Sequence, residues 1–190
     1  GCELDNPNPT CGPNVALNKN TYVSSVYGNV AYGGRAVDGV ANGLWNAHSC
    51  MCSLKEKNAY LAIDLGGKRQ VWRVDLLNRK DCCAERLRFF VIGTTNESPL
   101  ETKPKIGDYD ICARSNAILG PGSMTPFKCG TTGRYVIIQL LYEDYLTICE
   151  ANVYAETLPE EVAEMAAIPE GCEVGAENPT CPNVAEGKVS

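Results

Sequence analysis

Apolar residues in the central part of the chain recur at every second position rather than every third or fourth. Tyr60 to Leu65 places Leu61, Ile63 and Leu65 on one side, and Val71 to Leu77 does the same with Trp72, Val74 and Leu76. A period of two puts such side chains on one face of an extended strand. Arg88 to Thr94, Tyr135 to Leu141 and Thr147 to Tyr154 are further runs rich in β-branched and aromatic residues, which suit a pleated, half-buried surface. Gly33-Gly34, Gly66-Gly67, Gly120-Pro121-Gly122 and Gly130 to Gly133 read as turns between them. No stretch between residues 14 and 156 holds a helical period of useful length. Short strands punctuated by turns predict an all-β fold, a two-sheet sandwich of the jelly-roll type.

The two ends of the chain repeat each other. Gly1-Cys2-Glu3 returns as Gly171-Cys172-Glu173, and Asn8-Pro9-Thr10-Cys11 as Asn178-Pro179-Thr180-Cys181. Pro13-Asn14-Val15-Ala16 returns as Pro182-Asn183-Val184-Ala185 after a one-residue deletion. The offset is the size of a domain rather than of a solenoid unit, which predicts a tandem array. The expected organisation is a Cys-containing linker over 1–12, one module over 13–156, a second linker over 157–182 and the start of another repeat over 183–190. Pro159 to Ala167, acidic and rich in alanine, suits a short helix within that second linker.

Charge and cysteine content narrow the classes. With 17 Lys plus Arg against 23 Asp plus Glu, the 190-residue chain carries a formal charge of −6, which argues against nucleic acid as a partner. No apolar run reaches the roughly 18 residues of a membrane span. The N-terminus lacks a signal-peptide pattern, so the chain reads as a mature or trimmed segment. Eleven cysteines predict a disulfide framework in an oxidising, extracellular compartment, and the odd number leaves at least one thiol over. Zinc is disfavoured by a lone histidine, His48, and by the absence of paired CxxC motifs. The sequon Asn96-Glu97-Ser98 offers Asn96 for glycosylation, whereas the Asn-Pro-Thr triplets are excluded by their proline.

The module opens Asn14-Val15-Ala16-Leu17-Asn18-Lys19, continues Arg35-Ala36-Val37-Asp38-Gly39, and closes Tyr145-Leu146-Thr147-Ile148-Cys149-Glu150-Ala151-Asn152-Val153-Tyr154. Between these lies Arg79-Lys80-Asp81-Cys82-Cys83-Ala84-Glu85-Arg86. Together they resemble the F-type lectins, or fucolectins, over roughly residues 13 to 156. The opening and closing phrases are shared with other discoidin-like domains. Arg-x-Asp-x4-Arg around adjacent cysteines is far more specific to this family. The resemblance implies a discoidin-like jelly-roll β-sandwich of about eight main strands that binds L-fucose or a fucosylated glycan. Tandem members serve innate immunity and, in the mollusc sperm bindins, fertilization.

A neutral sugar presents hydroxyls, which need fixed donors, and an apolar face, which needs a flat wall. Guanidinium forks can donate to two sugar oxygens at once. By resemblance, Arg79 and Arg86 contact the sugar, a Cys82–Cys83 disulfide packs on its apolar edge, and Asp81 supports the arginines. Read without the resemblance, the three charged residues also suit a surface salt-bridge cluster. The family places a histidine as third contact twenty-seven positions before the first arginine; Cys52 stands there, and His48 lies four residues earlier. His48 is read either as a displaced contact or as a solvated loop residue. Trp45 and Tyr27 are read either as stacking on the sugar or as ordinary packing.

The resemblance also implies a structural calcium, held by the side chains of Asp38 and Glu150 and by carbonyls of Arg35, Val40, Ser49 and Cys149. It implies disulfides Cys50–Cys149 and Cys112–Cys129. Cys2–Cys11 and Cys172–Cys181 are candidates for repeated local bridges, with Cys52 left over. No Ser, Cys or carboxylate motif supports catalysis, so a non-enzymatic binding protein is expected, secreted, with other copies of itself in a homo-oligomer among its candidate partners beside fucosylated glycans or glycoproteins. The competing class is a discoidin-type adhesion module for a protein or phospholipid, since one fold hosts all these ligands. A membrane reader would need apolar spikes on its loops.

Overall fold

The computed structural model describes residues 12–157. Their eight strands are β1 (Thr21–Val23), β2 (Met51–Lys57), β3 (Tyr60–Leu77), β4 (Phe90–Thr95), β5 (Asp110–Ser115), β6 (Met124–Leu140), β7 (Glu143–Ile148) and β8 (Glu150–Thr157). All pairings are antiparallel. The larger sheet runs β1-β3-β6-β4-β5, with β8 also on β3, and the smaller one is β2-β7. Among the described residues the helical segments are four short 3₁₀ turns. This is the all-β, discoidin-like sandwich expected from the sequence. The proposed terminal linkers, the second repeat, Cys2–Cys11, Cys172–Cys181 and the Pro159–Ala167 helix lie outside the described residues.

Several boundaries differ from the sequence reading. Tyr60–Leu65 and Val71–Leu77 are one strand rather than two, and Gly66-Gly67 lies inside it. Gly130 to Gly133 likewise sits within β6. These glycines mark bends in long strands: Gly66 has φ 85°, and the β3–β6 register shifts between Asp64 and Arg69. Conversely, Thr147 to Tyr154 breaks at Cys149, where the chain passes from β7 to β8. β1, β2 and β5 are too short or too polar to stand out by alternation.

The face assignment also needs one correction. Val71, not Trp72, joins Val74 and Leu76 in the core. Two residues of β3 advance against one of β8 between Val71 and Arg73, so a bulge at Trp72 shifts the alternation by one.

The core lies between the two sheets. Leu61, Ile63 and Leu65 of β3, Val136, Ile138 and Leu140 of β6, and Phe90 and Ile92 of β4 meet Met51, Leu146 and Ile148 of the small sheet. The opposite face of β3 and β6 buries Tyr60, Ala62, Tyr135 and Ile137, partly under Tyr22 and Tyr109. Strands covered on both sides explain why Tyr60 to Leu65 are all buried. A third cluster, Cys50, Leu77 and Cys149 with Trp45 and Met124 against it, forms the floor beneath the loops that carry the candidate site.

Candidate functional site

β3 ends at Leu77, and the loop from Asn78 to Phe89 carries the motif residues. Buried Asn78 fastens its first turn. The Asn78 side-chain amide donates to the carbonyls of Ala84 (3.0 Å) and Leu119 (2.6 Å), and its Oδ1 accepts from the Arg79 N–H (2.8 Å). Lys80 N–H donates to the Gly43 carbonyl at 2.9 Å, tying the loop to the Trp45 segment. On the other side Gly122, at φ 67°, packs so closely that an added Cβ would sit 2.9 Å from Lys80 Cβ, so glycine is required there.

Arg79 and Asp81 form a two-pronged pair, Nε to Oδ1 at 2.6 Å and Nη2 to Oδ2 at 3.0 Å. Hydrogen bonding from Arg79 holds the Asp81 carboxyl below its ordinary range despite the opposing effect of burial. Arg79 is only 9% exposed, so the salt bridge it makes with the exposed Asp81 is not a fully solvated one. Its guanidinium lies over the Trp45 ring, 4.8 Å from the centroid, and that of Arg86 lies over Tyr145 at 4.4 Å. Tyr27 stands edge-on to both rings, at 6.0 Å from Trp45 and 5.8 Å from Tyr145. Each arginine is thus held flat by an aromatic face.

These side chains line a pocket of about 210 Å³, together with Cys83 and Cys52. Cys82 and Cys83 are disulfide-bonded to each other, and Cys83 takes a left-handed backbone at φ 60°. Cys52 is a free, buried thiol whose sulfur meets Thr147 Oγ1 and the Ser53 carbonyl at 3.3 Å. Burial pushes this thiol above its ordinary range, against the pull of Thr147 and of the two arginines. A protonated thiol already turned to protein oxygens offers a ligand neither a nucleophile nor a strong donor. His48 is not among the lining residues: it is exposed, and its Nδ1 faces Arg35 Nη2 at 3.4 Å.

Sequence reasoning passed over Tyr145 and Asn78. Tyr145 belongs to the closing phrase, but nothing in a single sequence shows that it supports Arg86 across the sandwich. Asn78 carried no signal at all.

A second cluster lies beside the disulfide Cys50–Cys149. Glu150 is 1% exposed, and neither of its carboxylate oxygens has a hydrogen-bond partner. Burial, and then the nearby Asp38 carboxylate, push Glu150 up to about 7; the Gly39 and Val40 N–H groups pull the other way without closing a bond of normal geometry. The Val40 N–H is instead given to Asp38 Oδ1 at 2.8 Å. A buried carboxylate with two orphaned oxygens beside the half-buried carboxylate of Asp38 suits a hard cation, and these residues fit calcium in chemistry. Ser49 and Cys149 are buried in the same region, whereas Val40 is 48% exposed. A further disulfide, Cys112–Cys129, joins β5 to β6 and packs against the main core. Asn96 is exposed, and its Oδ1 accepts from the Arg134 N–H at 3.2 Å.

A β-sandwich that holds a cationic, aromatic-walled pocket among its loops is a discoidin-like binding module. The chain belongs to the F5/F8 type C family of NedA-like, galactose-binding domains, whose model matches residues 35–138. It is 28% identical over 155 residues to the pentraxin fusion protein of Xenopus laevis, covering 80% of this chain and 36% of that one. It shares 26% identity with the crystal structure of a fucolectin from striped bass (Morone saxatilis) serum, at a TM-score of 0.68 over 75% of this chain and 48% of that one. The lectin domain of lectinolysin, complexed with Lewis B antigen, is 27% identical with a TM-score of 0.64, over 76% and 97% of the two chains. The chain therefore spans about a third and about half of the first two relatives.

Proposed function

We propose that this chain is an extracellular lectin that binds a terminal L-fucose, or a glycan ending in it, between Arg79 and Arg86. The observation that carries this reading is the pocket itself: two stacked guanidiniums converge on a space that also meets the vicinal disulfide. Arg79 spends Nε and Nη2 on Asp81, which orients the remaining N–H groups of its fork. The guanidinium of Arg86 has no hydrogen-bonded protein partner among the described residues and is left to donate. Cys83 supplies an apolar edge for the sugar's hydrocarbon side. The fucolectin from striped bass and the Lewis B-bound lectin domain support the ligand class.

Cys52 removes one contact from this scheme. With its sulfur turned to Thr147, a hydroxyl reaching that wall lacks the imidazole the resemblance would supply, which lowers fucose affinity by the worth of one hydrogen bond, about 1 kcal/mol.

Calcium, where Asp38 and Glu150 hold it with neighbouring carbonyls, neutralises the buried Glu150 carboxylate and its half-buried neighbour Asp38, and fixes the loop beside Cys50–Cys149. It shapes the site without touching sugar. Thermal melting in excess EDTA should therefore lie several degrees below melting in millimolar calcium, because a ligand bound only by the native state stabilises it by mass action. An unchanged melting temperature would remove calcium from the reading.

The adhesion alternative has one observation in its favour. The loops flanking the pocket expose Val30, Tyr32, Val40 and Leu44, at 37–56% each, so the apolar spikes a membrane reader needs are not confined to Trp45. A glycan array in calcium, with a parallel arm of phosphatidylserine vesicles, separates the two. Retention of fucosylated glycans alone is the expected result. Vesicle binding without any glycan signal would favour adhesion to lipid.

A further inference from the structure

The loop that carries Arg79 and Arg86 ends in a feature the terminal-sugar pocket does not use. Phe89, immediately before β4, has φ 44°, a backbone region bulky residues rarely enter. It is nevertheless 40% exposed, so burial of the ring offsets the strain only in part. The conformation is held through its carbonyl, which accepts from the Leu141 N–H at 2.8 Å. The Phe89 ring stands at 87° to the Tyr142 ring, 5.9 Å away. The Arg88 guanidinium lies against both, 5.4 Å from the Phe89 centroid and 5.3 Å from that of Tyr142. Arg88 is half-buried; its Nε is enclosed, its guanidinium also engages the Tyr142 hydroxyl, and only the outer end of the fork faces outward to a ligand.

This group is tied to the backbone that carries Arg86. The Tyr142 hydroxyl donates to the Arg86 carbonyl at 2.9 Å, and Arg86 itself stacks on Tyr145, three residues beyond Tyr142. Two arginine–tyrosine stacks therefore sit side by side along one stretch of the loop, and the second bears an exposed aromatic ring. An exposed flat ring beside a half-buried guanidinium is the chemistry that recognises a pyranose: CH groups on the ring, hydroxyls on the outer N–H groups of the charged donor.

We propose that Arg88, Phe89 and Tyr142 form a second saccharide subsite, occupied by the sugar to which the terminal residue is linked. This rests on the terminal-fucose reading of the Arg79/Arg86 pocket and extends it from a monosaccharide to an oligosaccharide ligand. Phe89 is the stacking platform, Arg88 the donor, and Tyr142 fixes both to Arg86.

The test is isothermal titration of the full chain with methyl α-L-fucoside and with a panel of fucosyl trisaccharides of differing linkage. The native protein should bind at least one trisaccharide roughly ten-fold more tightly than the methyl glycoside, as one stacked ring contributes. Phe89→Ala and Arg88→Ala should each abolish that gain and leave methyl fucoside affinity unchanged. Phe89→Tyr should retain the gain. Melting curves guard against misfolding, and Phe89 is 40% exposed, so Phe89→Ala should keep most of the stability. The subsite is overturned if no trisaccharide exceeds the methyl glycoside, or if both alanine variants keep the gain or lose affinity for both ligands alike. Methyl fucoside binding that still needs Arg86 would then leave the terminal pocket standing, whereas a protein that binds neither ligand sinks both readings.

Discussion

Arg86→Ala should weaken fucose binding by about ten- to a hundred-fold in isothermal titration. A charged donor to a buried hydroxyl is worth about 1.5–3 kcal/mol, and each 1.4 kcal/mol is a factor of ten. Arg79→Ala should cost as much, since it also strips Asp81 of its partner and Trp45 of the cation stacked on it. Arg79→Lys should recover little, because an ammonium keeps the charge but loses the planar fork that engages Asp81 and sugar together. His48→Ala serves as the internal control: its side chain is exposed beside Arg35 and outside the pocket, so affinity should not change. In any multivalent form of the protein, agglutination should fall further than monovalent affinity, because avidity compounds each loss. Full affinity in both arginine variants would show that the motif no longer serves sugar binding.

Removing the Cys50–Cys149 bridge should be the largest single loss of stability among the disulfides. It closes a sequence separation of 99 residues, against 17 for Cys112–Cys129. The chain-entropy argument assigns about 4.7 kcal/mol to a loop of roughly 100 residues and about 3 kcal/mol to one of roughly 15. In a domain of this size that is a fall of about 10–20 °C for C50A/C149A. Both sulfurs also belong to the floor of the loops, packed with Leu77 beneath Trp45, so the variant should lose sugar affinity before it unfolds. Calorimetry at fixed calcium checks this. A shift of only a few degrees would mean that the unfolded chain is already held compact, or that Glu150 and its neighbours fix the two strands without the bridge.

How far the sequence reached can be followed residue by residue. Alternation found the β class, both halves of β3 and the second half of β6, because a side chain's direction along a strand is local geometry. It placed Trp72 on the wrong face because a bulge is a property of two paired strands, and β8 is about eighty residues away. It read Gly66-Gly67 and Gly130 to Gly133 as turns because a glycine permits both a turn and a bend within a long strand. It missed β1, β2 and β5, whose pairing rather than composition makes them strands.

The candidate site divides along the same line. Arg79, Asp81, Cys82, Cys83 and Arg86 sit within eight positions, so their spacing and chemistry were visible in one dimension. What the sequence by itself determined was an all-β, disulfide-rich module with a compact cluster of guanidiniums and paired cysteines. Only the tertiary structure decided that Trp45 and Tyr145, some hundred residues apart, each flatten one arginine, and that Tyr27 bridges them. It also decided that the Cys52 sulfur turns to Thr147, that His48 stays outside, and that Asp38 faces a buried Glu150. Stacking and desolvation arise between surfaces that meet only after the sheets have closed, and a linear pattern carries no record of which surfaces those are.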